Sequence, residues 1–389
     1  MIHRIKIKNF RSLDVDVALD SITVLIGRSG AGKTNFVDAL RFLRDCLQGQ
    51  HFHEQQRQRE NIEPITNLKP LPLEYEVVFG VEQLKEEQFN YAIKIHPMRG
   101  GHQTRTITEE KLAFGGTILF HREGSKWIVP PPVQEESSHF QHDTASIATI
   151  KGHQKISIAY IALSTGIGCY DFPSNVCRET GCDNAQGSVS GLADTGENVN
   201  TIFDDILYDL TRLDSWNRIN DVIRAINDSI DTIDQSERKG IIFITHRVGD
   251  MLIPLPIRKE SEGLRRFFAH LLAFHQKPPK QIMVFEEPEK GIYPAAFAAL
   301  AGEMKNCYSC GQGQVVLTTH SPEMLDLFEP KNVRVVEMKD GITRIGHISK
   351  DQMEALRDNL LYPRELLTVE DARLDTPVVP AAEKEVQCV

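Results

Sequence analysis

The stretch SITVLIGRSGAGKTNFVDALRFLRDCL, residues 21–47, constrains the chain more than any other. Its first part is a short β-branched apolar run, which predicts a buried strand. Its last part carries Phe36, Val37, Leu40, Leu43 and Leu47 at close to helical spacing. Between them lies the pattern G-x-x-x-x-G-K-[ST], filled by Gly27, Arg28, Ser29, Gly30, Ala31, Gly32, Lys33 and Thr34. Strand, glycine-rich loop and helix start therefore follow in the order of a phosphate cradle. Glycines let backbone N–H groups approach phosphate oxygens, and a helix N-terminus favours negative charge. Lys33 is expected to reach the β- and γ-phosphates and the Thr34 hydroxyl to ligate Mg²⁺. The loop predicts a nucleoside triphosphate with Mg²⁺; the reaction has to be read from elsewhere.

With 389 residues, 41% of them hydrophobic, the chain can bury the core of one large or two ordinary domains. No apolar run approaches the roughly 18 residues of a membrane span, so no membrane partner is expected. Charges are spread evenly through MIHRIKIKNF, unlike a secretory leader, and a cytoplasmic location is the expectation. The seven cysteines need not pair there. The formal charge of −10 argues against a general nucleic-acid coat. Arg4, Lys6, Lys8 and Arg11 form one local basic cluster. Its plain reading is a solvated edge strand whose lysines deter strand pairing. The alternative is a phosphate-binding patch, which leaves nucleic acid open as a partner.

Residues 1–150 are expected to form a first lobe, with two lead-in strands, the phosphate loop and an antiparallel β subdomain from about residue 71. Residues 151–240 turn helical, with Ile202, Phe203, Ile206 and Leu210 on one face, and are expected to be an inserted helical region. Residues 241–362 return to strands. QIMVFEE and GQVVLTTH are nearly continuous apolar runs, as parallel strands buried on both faces are. Residues 363–389 read as a Pro-, Glu- and Ala-rich tail. The predicted fold class is α/β with a mostly parallel core sheet.

The second half supplies candidates for the chemistry. QIMVFEE ends in Glu286 and Glu287. Metal-assisted hydrolysis needs one carboxylate to hold Mg²⁺ and another to polarise water, and adjacent residues at a strand end can divide these roles. Glu286 is assigned to the metal and Glu287 to the water. GQVVLTTH ends in His320, whose imidazole can face a γ-phosphate or its attacking water. Ser261-Glu-Gly263 opens an apolar helix, where Ser261 can serve as N-cap or face a phosphate.

IKNFRS from Ile7, the phosphate loop, SEGLRR, EPEKGIYP and THSP occur in that order, with most of the chain between Lys33 and Glu286. This series resembles the ABC-type ATPase heads of the RecF, SMC and OLD families. It is most similar to the bacterial AAA-family ATPases often found in anti-phage defence. The likeness covers about residues 1–50 and 240–345. It implies an ABC-type ATPase head that hydrolyses ATP, with Arg11 and Asn35 near the nucleotide. It also implies that Ser261 and Gly263 act on ATP held by a second subunit, in a homodimer or a larger homo-oligomer. The chain departs from transporter heads in lacking an LSGGQ string, and Gln141 and Gln154 are weak Q-loop candidates.

The lone C-x-x-C at Cys307 and Cys310 lacks a second pair for zinc, and Cys169, Cys177 and Cys182 are irregularly spaced. HFH at 51–53 has no clear partner residues, and no D-x-D of a Toprim nuclease domain follows His320. Any nuclease or toxin activity is thus expected on a separate effector polypeptide. Two classes of function stand: an ATPase switching a complex on nucleic acid, or a scaffold in which ATP holds subunits together. A defence sensor with a separate effector satisfies both. A RecF- or SMC-like role in DNA repair or maintenance is the alternative.

Overall fold

A computed structural model gives the architecture. It describes residues 1–48, 71–84, 87–96, 106–132, 144–178, 191–208, 213–236, 241–309 and 313–375. Gln141, Leu210, Cys182, Cys310, HFH 51–53 and most of the 363–389 tail lie outside the described residues.

The first lobe begins with β1 (Ile2–Phe10), β2 (Leu13–Ala18) and β3 (Ile22–Ile26), then α1 (Lys33–Leu47). Five antiparallel strands follow: β4 (Leu73–Phe79), β5 (Phe89–His96), β6 (Thr106–Phe114), β7 (Thr117–Glu123) and β8 (Lys126–Val129). Next come α2 (Gln154–Ser164), β9 (Ile167–Tyr170), α3 (Val199–Tyr208) and α4 (Leu213–Ile226). A separate three-stranded sheet is built from β10 (Ile230–Gln235), β11 (Ile242–Val248) and β12 (Met251–Pro256). The last third supplies α5 (Glu262–His275), β13 (Ile282–Glu286), α6 (Phe297–Ser309), β14 (Gln314–Thr318), β15 (Val333–Lys339), β16 (Ile342–His347) and α7 (Lys350–Arg357).

Among the described residues, thirteen strands form one mixed sheet in the order β8-β7-β6-β5-β4-β1-β2-β16-β15-β3-β14-β13-β9. The run β15-β3-β14-β13-β9 is parallel throughout. All five residues of β3 and of β14 are buried, which accounts for their largely apolar sequence. Successive residues feed two different cores. Val24, Val315, Leu317, Met283 and Phe285 pack with the helices of the second half. Leu25, Val316 and Val284 pack with α1, α2 and the β lobe. The period-2 alternation of a strand thus divides the molecule into helix, sheet and helix layers. The apolar stripe of α1 is buried as its spacing predicts, with Phe36, Val37, Leu40, Leu43 and Leu47 all inaccessible.

Two local expectations are corrected. The 151–240 stretch, read as helical, contributes β9 to the rim of the main sheet and β10 to the small one. The β1 strand is interior: it pairs with β2 on one side and β4 on the other. Its basic side chains face acidic ones across both ladders. Arg4 pairs with Asp16, Lys6 lies opposite Asp16 and Glu76, and Lys8 lies opposite Asp14 and Glu74. The cluster is therefore a cross-strand charge lattice rather than an edge guard.

Candidate active site

The phosphate loop connects the buried end of β3 to the first turn of α1. Gly32 is the residue before that helix, with φ at 106°. A Cβ there would stand 2.2 Å from Thr343 Oγ1, so the position excludes side chains by both conformation and contact. Thr343, on β16, donates to Ala31 O at 2.9 Å, and its hydroxyl lies 2.7 Å from that of Ser12. Asn35 Nδ2 donates to Ser12 Oγ at 2.8 Å, and Arg11 Nη1 donates to Asn35 Oδ1 at 2.9 Å and to Asp38 at 2.7 Å. The loop is thus buttressed by polar groups from β16, from the β1–β2 turn and from α1 itself. Ser29 and Gly30 are exposed at its crest, and Arg28 pairs with Asp371 in the C-terminal segment.

Lys33 is buried, and its Nζ donates to Gly27 O at 2.7 Å and to Arg28 O at 3.2 Å. Burial lowers its pKa, and the nearby Glu287 and Glu286 oppose that shift. The hydroxyl of Thr34 donates to Glu286 Oε1. Residues far apart in sequence therefore converge where the parallel strands end. Burial raises the Glu286 pKa, the Thr34 bond opposes it, and Asp171 just beyond β9 adds to it. A carboxylate and a hydroxyl meeting at this point are hard oxygen donors, and a nearby cation would relieve the burial of Glu286. The pair fits Mg²⁺.

Glu287 follows with φ at 44°, a left-handed conformation that side-chain-bearing residues seldom adopt. Its N–H donates to Thr318 O at 3.2 Å and to Thr318 Oγ1 at 3.1 Å, which holds the turn. Its carboxylate lies 3.9 Å from His320 Nε2. Burial and the Lys33 charge lower the His320 pKa, opposed by Glu287, so the imidazole favours its neutral form near pH 7. Loop, carboxylates and histidine thus form one cluster. Such a cluster can bind a polyphosphate and its metal and can polarise a water beside them.

The Ser261 hydroxyl accepts from Leu264 N at 3.3 Å as the N-cap of α5. A Cβ on Gly263 would stand 2.8 Å from Gly291 O, so the helix start is held against the turn after β13. Among the described residues, no hydrogen bond or ion pair joins Ser261 or Gly263 to the phosphate loop. Gln154 is exposed at the start of α2.

Several participants escaped the sequence reading. Asp38 and Arg41 pair at i,i+3 on α1, and Arg41 and Arg44 both bind Asp194, forming a chain of charges behind the loop. The Asp38–Arg41 spacing was available in the sequence; Asp194, in a distant loop, carried no signal. Thr318 and Thr319 carry no assigned role in the sequence either. The thiols of buried Cys169 and partly buried Cys177 are each pushed up to about 12 by desolvation, and among the described residues neither joins a metal-spaced cluster. One His/Glu cluster does occur on the β lobe, Glu109, His121 and Glu123, where the Lys94 ammonium already holds Glu109 at 2.7 Å.

With this geometry in place, comparison with known proteins gives two family matches. Residues 1–118 match a model described as an AAA ATPase domain. Residues 192–326 match one described as an AAA domain, putative AbiEii toxin, Type IV TA system. These matches support an AAA-type ATPase. No curated protein matches the chain. Among solved structures, an SmcHead bound to the C-winged helix domain of ScpA aligns at 14% identity and a TM-score of 0.53. That alignment covers 91% of this chain and 99% of the other. An Smc head domain with an extended coiled coil, bound to the C-terminal domain of ScpA and derived from Pyrococcus furiosus, aligns at 13% identity and a TM-score of 0.53. It covers 92% of this chain and 99% of the other. At such identities the likeness is one of fold: an α/β ATPase-head fold with a large mixed sheet. None of the helices among the described residues is long and apolar enough to cross a membrane.

Proposed function

We propose that this chain is an ATP-hydrolysing switch that closes as a homodimer around shared nucleotides. In this reading it acts in anti-phage defence together with a separate effector protein. The observation that carries the ATPase part is the convergence of Lys33, Thr34, Glu286, Glu287 and His320 at the ends of β3, β13 and β14. Lys33 and the loop N–H groups hold the β- and γ-phosphates. Thr34 and Glu286 hold Mg²⁺, which neutralises charge on the phosphates when bound. Glu287 accepts hydrogen bonding from the attacking water, and neutral His320 orients that water or the γ-phosphate. The pairing of Ser261 and Gly263 with a second copy's nucleotide rests on their exposed helix start and on the resemblance to ABC-type heads.

The toxin–antitoxin wording of one family match favours the defence setting. The Smc-head likeness favours a second reading, in which the same switch serves DNA repair or maintenance. In those neighbours the head carries a bound ScpA domain; here the corresponding proposal is an effector polypeptide.

Glu287→Gln is expected to retain Mg-ATP while slowing phosphate release by about 100-fold or more, because an amide cannot polarise water as a carboxylate does. Nucleotide affinity and phosphate release measured side by side check this. Wild-type turnover in the mutant would move the water-activating role away from Glu287.

A further inference from the structure

Glu289 is a buried acid in the turn after β13, with 9% of its surface exposed. Its Oε1 accepts from Thr319 Oγ1 at 2.6 Å and from the His320 N–H at 3.2 Å. Its Oε2 is buried with no hydrogen-bond partner among the described residues. A carboxylate in this setting costs more than an apolar or amide side chain unless it performs a task. The task is visible in its partners. Thr319 is itself fully buried, donates to Glu289 and accepts from Ser321 N at 3.0 Å. Its own N–H donates to Leu25 O at 3.2 Å, on the strand that leads into the phosphate loop. Glu289 is tied in turn to the other side of the site, for its carbonyl accepts from Ile292 N at 3.0 Å and so fixes Gly291 against the start of α5.

We propose that Glu289 is a positioning residue, which sets His320 beside Glu287 by holding the Thr319 hydroxyl and the His320 N–H together. The inference rests on the ATPase reading above and deepens it: Glu289 does not touch the reacting atoms but fixes the backbone from which His320 projects. It also links the histidine backbone to the turn that carries Gly291. Burial raises the Glu289 pKa, opposed by the Thr319 and His320 bonds to Oε1, while Oε2 has no partner among the described residues. That oxygen is also where a glutamine would place its amide, leaving the amide oxygen to accept both existing bonds.

The test compares wild type, Glu289→Ala, Glu289→Gln and Thr319→Val for ATP affinity, kcat and hydrogen exchange of the His320 amide. Glu289→Ala is expected to lower kcat roughly 10- to 100-fold through misplacement of the histidine, with ATP affinity nearly unchanged. Thr319→Val should lower kcat in the same direction, and Glu289→Gln should recover most of what alanine loses. Faster exchange of the His320 amide should accompany Glu289→Ala and be absent in Glu289→Gln. Turnover of Glu289→Ala equal to wild type would overturn the proposal. So would a Gln variant as slow as Ala, since the charge itself would then be acting. If wild type fails to hydrolyse ATP, the ATPase reading falls on its own, and the His320 exchange still decides: unchanged protection in Glu289→Ala removes the tie.

Discussion

At the scale of single residues, the site is held by positions where a side chain is excluded or a buried polar group must be matched. Gly32 is the sharpest case. Alanine there would meet Thr343 Oγ1 while holding a φ of 106°. The conformational strain alone is about 1–3 kcal/mol, and displacement of Thr343 removes its bond to Ala31. Gly32→Ala is therefore expected to lower unfolding stability by at least that amount and to weaken ATP binding. Urea denaturation and nucleotide titration measure the two effects, and a mutant unchanged in both would contradict this view of the loop. The glycine and lysine positions were legible in the sequence because a phosphate loop is local: every residue it needs lies within one strand–loop–helix segment. The buttress was not. Ser12, Asn35 and Thr343 meet only after β2 and β16 become neighbours, and nothing in a hydroxyl's local sequence announces a partner from the far end of the chain.

At the scale of elements, α5 joins the second-half core to the turn after β13. Its His270 is fully inside, edge-on to Phe172 at 4.9 Å and tilted against Phe285 at 5.5 Å. Burial holds its pKa down at about 4; the bond between Nδ1 and Arg266 O at 2.7 Å opposes this, and the nearby Arg266 charge adds to the lowering. The fold therefore needs the neutral imidazole. A base with a depressed folded pKa gives stability that is present above its unfolded value near 6.5 and is lost as pH falls toward about 4. The gap corresponds to roughly 3 kcal/mol. The midpoint of thermal unfolding should fall across that window, and His270→Gln should flatten the fall. Equal pH profiles for the two proteins would show that other groups dominate. Amphipathic elements such as α1 and α3 were legible from their spacing. The short β9 was not, because IGCY is four residues long, contains glycine and has no alternation to detect. Its place at the sheet rim comes from pairing with β13. The β1 lysines misled for a related reason: an edge strand and an interior strand with acidic neighbours look alike until the neighbours are known.

At the scale of the whole molecule, one chain has one phosphate loop and one Ser261–Gly263 helix start, so a composite site needs a second copy. Ser261→Arg is expected to leave ATP binding by the monomer nearly intact and to block nucleotide-linked closure and hydrolysis. Mixing Ser261→Arg protein with Lys33→Ala protein should restore part of the activity, because a mixed dimer keeps one intact pair of elements. Mixed dimers that form but stay inactive would count against independent shared sites, and a fully active monomer at every concentration would end the dimer reading. The sheet order carries one more consequence. β3, which delivers the phosphate loop, has β14 on one side and β15 on the other, and both begin after residue 313. Gln314 also clasps the first strand, accepting from Ile2 N at 3.0 Å and donating to Ile2 O at 2.9 Å. On the ribosome, β1 can pair with β2 and β4 soon after they emerge, but β3 must wait for strands made far later before it has neighbours. A chain stopped short of β14 leaves β3, and the loop it delivers, without a neighbouring strand on either side.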